Sequence, residues 1–288
     1  MSATHELRRL ITPMLARIKR PPSGALHYEY LCPGGPYDEQ WDWDGFFMGV
    51  ALAAENVADA RYLRNWCLNF ILNAEADGYT PGVITPQGRD QRLNQMKPFL
   101  AQGAYLASRY LQDFTWLEPY YEQVKRIVTY REQRLWSLAY GLGVWHNAME
   151  SGADNNVAFA GGDGNAPSMQ NRTAGADLNA FLYREYVAMA AIAQALHREA
   201  EASDFTLRTV AIKEALLRHL WSVDDSTFYS LDVATGEPIR RTSYSNAVPL
   251  WAGMAGQAQG QEQIRRYLLN PARLWSPYGV RTLAADDP

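Results

Sequence analysis

With 288 residues, 47% of them hydrophobic and 20% charged, the chain can bury a large core and lacks the composition of a disordered one. A formal net charge of −4, with Lys and Arg scattered along the chain, argues against a basic nucleic-acid surface. Two cysteines are too few for a disulfide scaffold, no His, Cys or acid spacing fits a metal site, and no apolar run reaches the roughly 18 residues of a membrane span.

The periodicity is helical from end to end and predicts helices over 5–19, 45–57, 59–75, 97–113, 117–138, 175–201, 204–220, 246–255 and 259–269. The first lies in "MSATHELRRLITPMLARIKR", which carries charges throughout and lacks the continuous apolar core of a secretion signal, so a reducing, cytoplasmic setting is expected. Cys67, inside the apolar run "YLRNWCLNFIL", reads as a small buried side chain. The segment "AFAGGDGNAPSMQNR" (158–172) has no period and reads as a long irregular loop. In the helix over 175–201, Leu178, Leu182, Tyr183, Tyr186, Val187, Met189, Ala190 and Ile192 form a wide apolar face, and Asp177 suits the positive end of the helix dipole. Asp204 is expected to cap the helix that follows. "STFYSLDVATGEPI" alternates around a Thr-Gly turn and predicts a small hairpin between helices. No linker divides the chain, so one all-helical domain over 1–288 is the economical expectation.

Aromatic residues make up 12% of the chain, and many sit beside Gly, Asp or Asn. In "YDEQWDWDGFF" (37–47), Trp41 and Trp43 alternate with Asp42 and Asp44 just ahead of a predicted helix. Carboxylates around a Trp make poor core material because their desolvation is costly. Sugars offer apolar C–H faces to an indole and hydroxyls to a carboxylate, so the mixture suits a carbohydrate site. A second such cluster, "GVWHNAMESGADNN" (143–156), carries Trp145, His146, Glu150 and Asp154. Paired carboxylates hydrolyse glycosides, one protonating the leaving oxygen and the other activating water. Other readings stay open. Asp42 and Asp44 suit helix caps, Asp154 with its two following Asn residues suits a turn, and Glu150 suits a loop-supporting hydrogen bond. The five His residues are dispersed without metal spacing, and "GGDGN" lacks the Lys of a phosphate loop.

The ordered set "QWDWDGFF", "ESGADNN", "ADLNAFLYRE" and "SPYGVRTL" resembles the inverting α-glycosidases of glycoside hydrolase family 63. That family includes bacterial glucosidase-like members and the mannosylglycerate and glucosylglycerate hydrolases, with the trehalases of family 37 more distant. The resemblance runs from about residue 24 to the end of the sequence. It implies an (α/α)6 barrel and hydrolysis of a short α-glucoside or α-mannoside by single-displacement inversion, with no cofactor. The resemblance makes Asp154 the general acid and Asp44 a ligand of sugar hydroxyls, with Trp41 and Trp43 as walls. Gln95 in "NQMKPF" matches a sugar-contacting Gln, and Tyr278, Gly279 and Arg281 match a loop that closes over substrate. Trp145, Glu150 and Asp177 complete the expected substrate-contact set.

Two features depart from the family pattern. Nine predicted helices fall short of the twelve in a full toroid, and no counterpart of the family's general-base Glu follows "SPYGVRTL". The expectation is therefore a six-hairpin barrel incomplete at its C-terminus, with activity impaired or lost: a fragment of a longer product, a chain that a second polypeptide completes, or a shortened relative whose exposed apolar faces favour self-association. The alternatives are a non-catalytic carbohydrate-binding module and a helical sugar isomerase. Scattered histidines speak against the isomerase.

Overall fold

The computed structural model describes residues 3–89, 94–153, 158–159 and 171–287. These contain nine α-helices: α1 (Ala3–Ile18), α2 (Asp42–Glu55), α3 (Ala60–Asn73), α4 (Leu100–Leu111), α5 (Tyr121–Arg134), α6 (Ala176–Ala195), α7 (Glu199–His219), α8 (Val248–Trp251) and α9 (Gln257–Gln263). The fold is mostly helical, as expected, but not purely so, because short antiparallel ribbons of two or three strands join the helices. The described residues group into two compact units, Met1–Ile127 and Val128–Pro288.

In the first unit, α3 packs against both α2 and α4. Its Leu63, Trp66, Cys67, Phe70 and Ile71 are fully enclosed. Close approach depends on glycine. A Cβ on Gly45 of α2 would stand 2.4 Å from the Trp66 indole, and one on Gly103 of α4 would stand 2.8 Å from it. The indole thus fills the space that two missing side chains leave, and its Nε1 donates to the Trp41 carbonyl at 3.1 Å. That bond ties the entry of α2 to the centre of α3. A second cluster of Leu31, Leu52 and Tyr62 is covered by Leu15, Ile18 and Met48.

In the second unit, α6 and α7 form the most extensive helix pair. Tyr186, Met189 and Ile192 of α6 and Phe205, Ile212 and Leu216 of α7 are buried. Val187, expected on the apolar face, is instead 44% exposed. The predicted hairpin is present: Ser230–Asp232 pairs with Glu237–Ile239, and Gly236 takes φ +77° in the turn. The Ser230–Asp232 strand also pairs with Thr173–Ala174, immediately before α6.

The boundary between α6 and α7 corrects the sequence expectation. His197 adopts φ +55°, a left-handed conformation that a right-handed helix cannot pass through. The Arg198 N–H turns back to the Ala193 carbonyl at 2.8 Å, closing the last turn of α6. α7 then begins at Glu199, with Glu199 and Glu201 in its first turn. Asp204 is therefore no cap but an interior residue, paired with Arg208 one turn on at 2.8 Å. The helix expected over 246–255 shortens to Val248–Trp251, preceded by a 3-10 turn at Tyr244–Ala247.

Gly45→Ala is expected to destabilise the protein by about 1–3 kcal/mol through overpacking against Trp66. Urea unfolding of the variant against the wild type measures this.

Candidate active site

α2 begins at Asp42, three residues earlier than its periodicity predicts, with Trp41 at the N-cap position and no side-chain cap bond. Asp42 and Asp44 therefore lie inside the first turn rather than at the N-cap position. Their environments differ. Asp42 is 1% exposed. Its Oδ2 accepts the Lys97 backbone N–H at 2.7 Å. Its Oδ1 accepts the Lys97 ammonium at 3.1 Å and the Trp43 N–H at 2.6 Å. A charge so deep is tolerable only when paired and hydrogen-bonded, and both conditions are met. Asp44 is partly exposed, and among the described residues no other side chain bonds its carboxylate. Burial pushes that carboxyl above its ordinary value; its own backbone pulls it down, the Asp42 charge adds to the rise, and the Lys97 charge opposes it.

The aromatic side chains surround this turn. Trp43 packs edge-on against Phe47 at 5.2 Å and Phe99 at 5.6 Å. Trp41 meets Tyr37 edge-on at 6.2 Å, and its Nε1 is buried without a hydrogen-bond partner among the described residues. Gln95 is buried, and its Oε1 accepts the Thr80 N–H at 3.0 Å. It fastens the strand-like segment before α4 to residues 80–82. Trp41, Trp43, Asp44 and Gln95, all singled out from sequence, thus belong to one unit and flank the starts of α2 and α4.

The second unit repeats the logic at α6. Asp177, in its first turn, is buried. It accepts the Trp145 indole N–H at 3.1 Å, the Leu178 N–H at 2.7 Å and the Ser245 hydroxyl at 3.1 Å. Burial raises its carboxyl from the usual range while these donors pull it down. Burial and the Asp177 charge together push the neighbouring Tyr244 phenol up to about 12. Trp145 is fully enclosed, with its backbone N–H on the Thr173 carbonyl at 3.0 Å.

Glu150 is also enclosed, at 1% exposure. It pairs with Arg131 of α5 and accepts the His146 backbone N–H at 2.5 Å. The Arg131 guanidinium lies 5.3 Å from the Trp145 ring centre. Residues 144–151 are therefore bonded from beneath up to the turn that precedes position 154. Asp154 itself lies outside the described residues.

Tyr278 and Arg281 stand apart from these networks. Tyr278 sits at the tip of the Trp275–Val280 hairpin, 99% exposed. Arg281 turns inward on its own loop, donating to the carbonyls of Pro271, Arg273 and Trp275. Sequence reasoning missed three partners: Lys97, Arg131 and Ser245. Arg131 left a signal, for it follows Val124, Ile127 and Val128 at helical spacing on the buried stripe of α5. Among the described residues no group of three or more His, Cys, Asp or Glu could hold a metal ion.

The family described as mannosylglycerate hydrolase MGH1-like glycoside hydrolase domain matches residues 37–288. A search of curated proteins by sequence finds no match. An uncharacterised conserved protein from Thermus thermophilus superposes with a TM-score of 0.74 at 16% identity, covering 98% of this chain and 80% of its own. The GH63 mannosylglycerate hydrolase from the same organism, in complex with glucose, gives 0.69 at 18% identity, covering 96% of this chain and 83% of that one. Neutral trehalase from Saccharomyces cerevisiae gives 0.64 at 15%, covering 90% of this chain and 57% of the enzyme. These likenesses show a shared fold. The family match shows more: the chain belongs to the MGH1-like glycoside hydrolases, as the ordered motifs imply.

Arg131→Met is expected to cost about 3–5 kcal/mol, because it strands the Glu150 carboxylate without its partner. The double variant Arg131→Met/Glu150→Leu should recover most of that loss, and a double-mutant cycle by urea unfolding reads both numbers.

Proposed function

We propose that this member of the MGH1-like glycoside hydrolase family hydrolyses a short α-glucoside or α-mannoside by single-displacement inversion. Asp154 protonates the leaving oxygen, and Asp44 holds hydroxyls of the sugar ring. The observation that carries the reading is Asp44, a half-buried acid with no other side-chain partner among the described residues, next to Trp43 in the first turn of a helix. A carboxylate there costs desolvation unless a ligand supplies donors, and sugar hydroxyls supply them. Trp43 offers an aromatic face for sugar C–H groups, and the buried Trp41 Nε1 is a donor in want of an acceptor.

In this reading the chain has an (α/α)6-type barrel fold, which the family match over 37–288 supports. Glu150 and Asp177 act from beneath the site, through Trp145 and the 144–153 loop, and Gln95 holds the segment before α4. Tyr278 closes over the sugar from its exposed hairpin, which Arg281 braces. Inversion places acid and base about 6.5–9.5 Å apart to admit a water, and the acid needs a raised pKa. Cys32 and Cys67 are buried and not joined in a disulfide, which favours a reducing cytoplasmic setting. Exposed Tyr278, Trp275 and Val280 favour self-association or a complementing chain.

The names of the similar proteins make mannosylglycerate and trehalose the first substrates to try, and the family resemblance adds glucosylglycerate. Slow turnover is the expected result, because no residue here matches the family's general base, with the inverted anomer appearing first in the NMR spectrum. Asp154→Asn should lower turnover by about 10²–10⁴-fold with Tm unchanged. Unaltered turnover in that variant removes Asp154 from its role. Tryptophan quenching by sugar without any turnover in the wild type points instead to a carbohydrate-binding module.

A further inference from the structure

Lys97 occupies an unusual position for a lysine. Its side chain is only 9% exposed, and its ammonium lies 3.1 Å from Asp42 Oδ1. The same ammonium stands 5.9 Å from the centre of the Trp43 ring. Its backbone N–H reaches the other Asp42 oxygen at 2.7 Å, so one residue holds both ends of the inner carboxylate. Two positions further along the same turn is Asp44. Two acids so close oppose each other's ionisation unless a cation stands between them.

We propose that Lys97 is a positioning residue for the sugar site: seated on Asp42 beneath the first turn of α2, it cancels the inner carboxylate and backs the Trp43 ring, leaving Asp44 as the net charge that meets the sugar. The inference rests on the reading of Asp44 and Trp43 as sugar contacts. Among the described residues, Asp42 on α2 and Lys97 before α4 are the charged groups that act on Asp44, and α3 presents the neutral Trp66 beneath Gly45. The directions follow. Removing the Lys97 charge raises the Asp44 midpoint, since its downward pull on that carboxyl is lost. Removing the Asp42 charge lowers it.

The test follows the Asp44 carboxyl through a pH titration by carbon-13 NMR, assigned with Asp44→Asn. The wild type is compared with Lys97→Met, Asp42→Asn and the double variant. The midpoint is expected to move up by about one pH unit in Lys97→Met and down in Asp42→Asn, with the double variant close to wild type. Sugar affinity, read by tryptophan fluorescence, should fall about tenfold in Lys97→Met below the midpoint and recover above it. A merely structural lysine would lower Tm without moving the midpoint, and an unmoved midpoint in folded Lys97→Met overturns the proposal. Should Lys97→Met not fold, Asp42→Asn decides alone: a downward shift supports the proposal and an unmoved or upward one overturns it. Midpoints that move as expected in a protein that binds no sugar would sink the hydrolase reading and leave the charge balance standing.

Discussion

A buried carboxylate in the first turn of a helix, bonded to the start of another, is the constraint on which the site depends. Asp42 does this between α2 and the segment entering α4, through both the backbone and the ammonium of Lys97. Asp177 does it between α6 and the turn entering α8, through the Ser245 hydroxyl. A helix N-terminus carries unsatisfied N–H groups and a positive dipole end, so a carboxylate there is favoured electrostatically. Its desolvation still has to be met by donors from elsewhere, and those donors come from the next helix start. The helix starts are thereby held at fixed distances, which a loop connection alone would not achieve.

Glycine and tryptophan supply the complementary constraint in the first unit. Trp66 is enclosed between Gly45 and Gly103, and its indole N–H reaches the carbonyl at the entry of α2. Dispersion contacts of that density tolerate little displacement. The Gly that follows the second aspartate in "WDWDG" is therefore a packing requirement. The same turn that presents Asp44 on one side is locked to the core on the other.

The two aspartates of that motif divide their labour because of helix geometry. At 3.6 residues per turn, positions two apart point roughly 200° away from each other. Once Asp42 is directed into the core, Asp44 must turn outward beside Trp43. A strand would have placed both on one face. The start of α2 at Asp42 decides the matter.

Periodicity alone located most of the helices, because each buries a stripe whose spacing is local information. The hairpin over 230–239 was legible for the same reason. The two tryptophan-and-acid clusters were visible as places where charge and indole share a segment, although Trp145, Asp42 and Glu150 are themselves buried. The sequence did not reveal which acid is buried, because that depends on donors far along the chain: Lys97 for Asp42, Arg131 for Glu150 and Ser245 for Asp177. It also missed the break at His197, since a left-handed residue that is not glycine leaves no compositional mark. Local pattern determined where helices form and where chemistry gathers. Tertiary packing decided which charges are desolvated, because burial and pairing are properties of neighbours that the chain brings together only on folding.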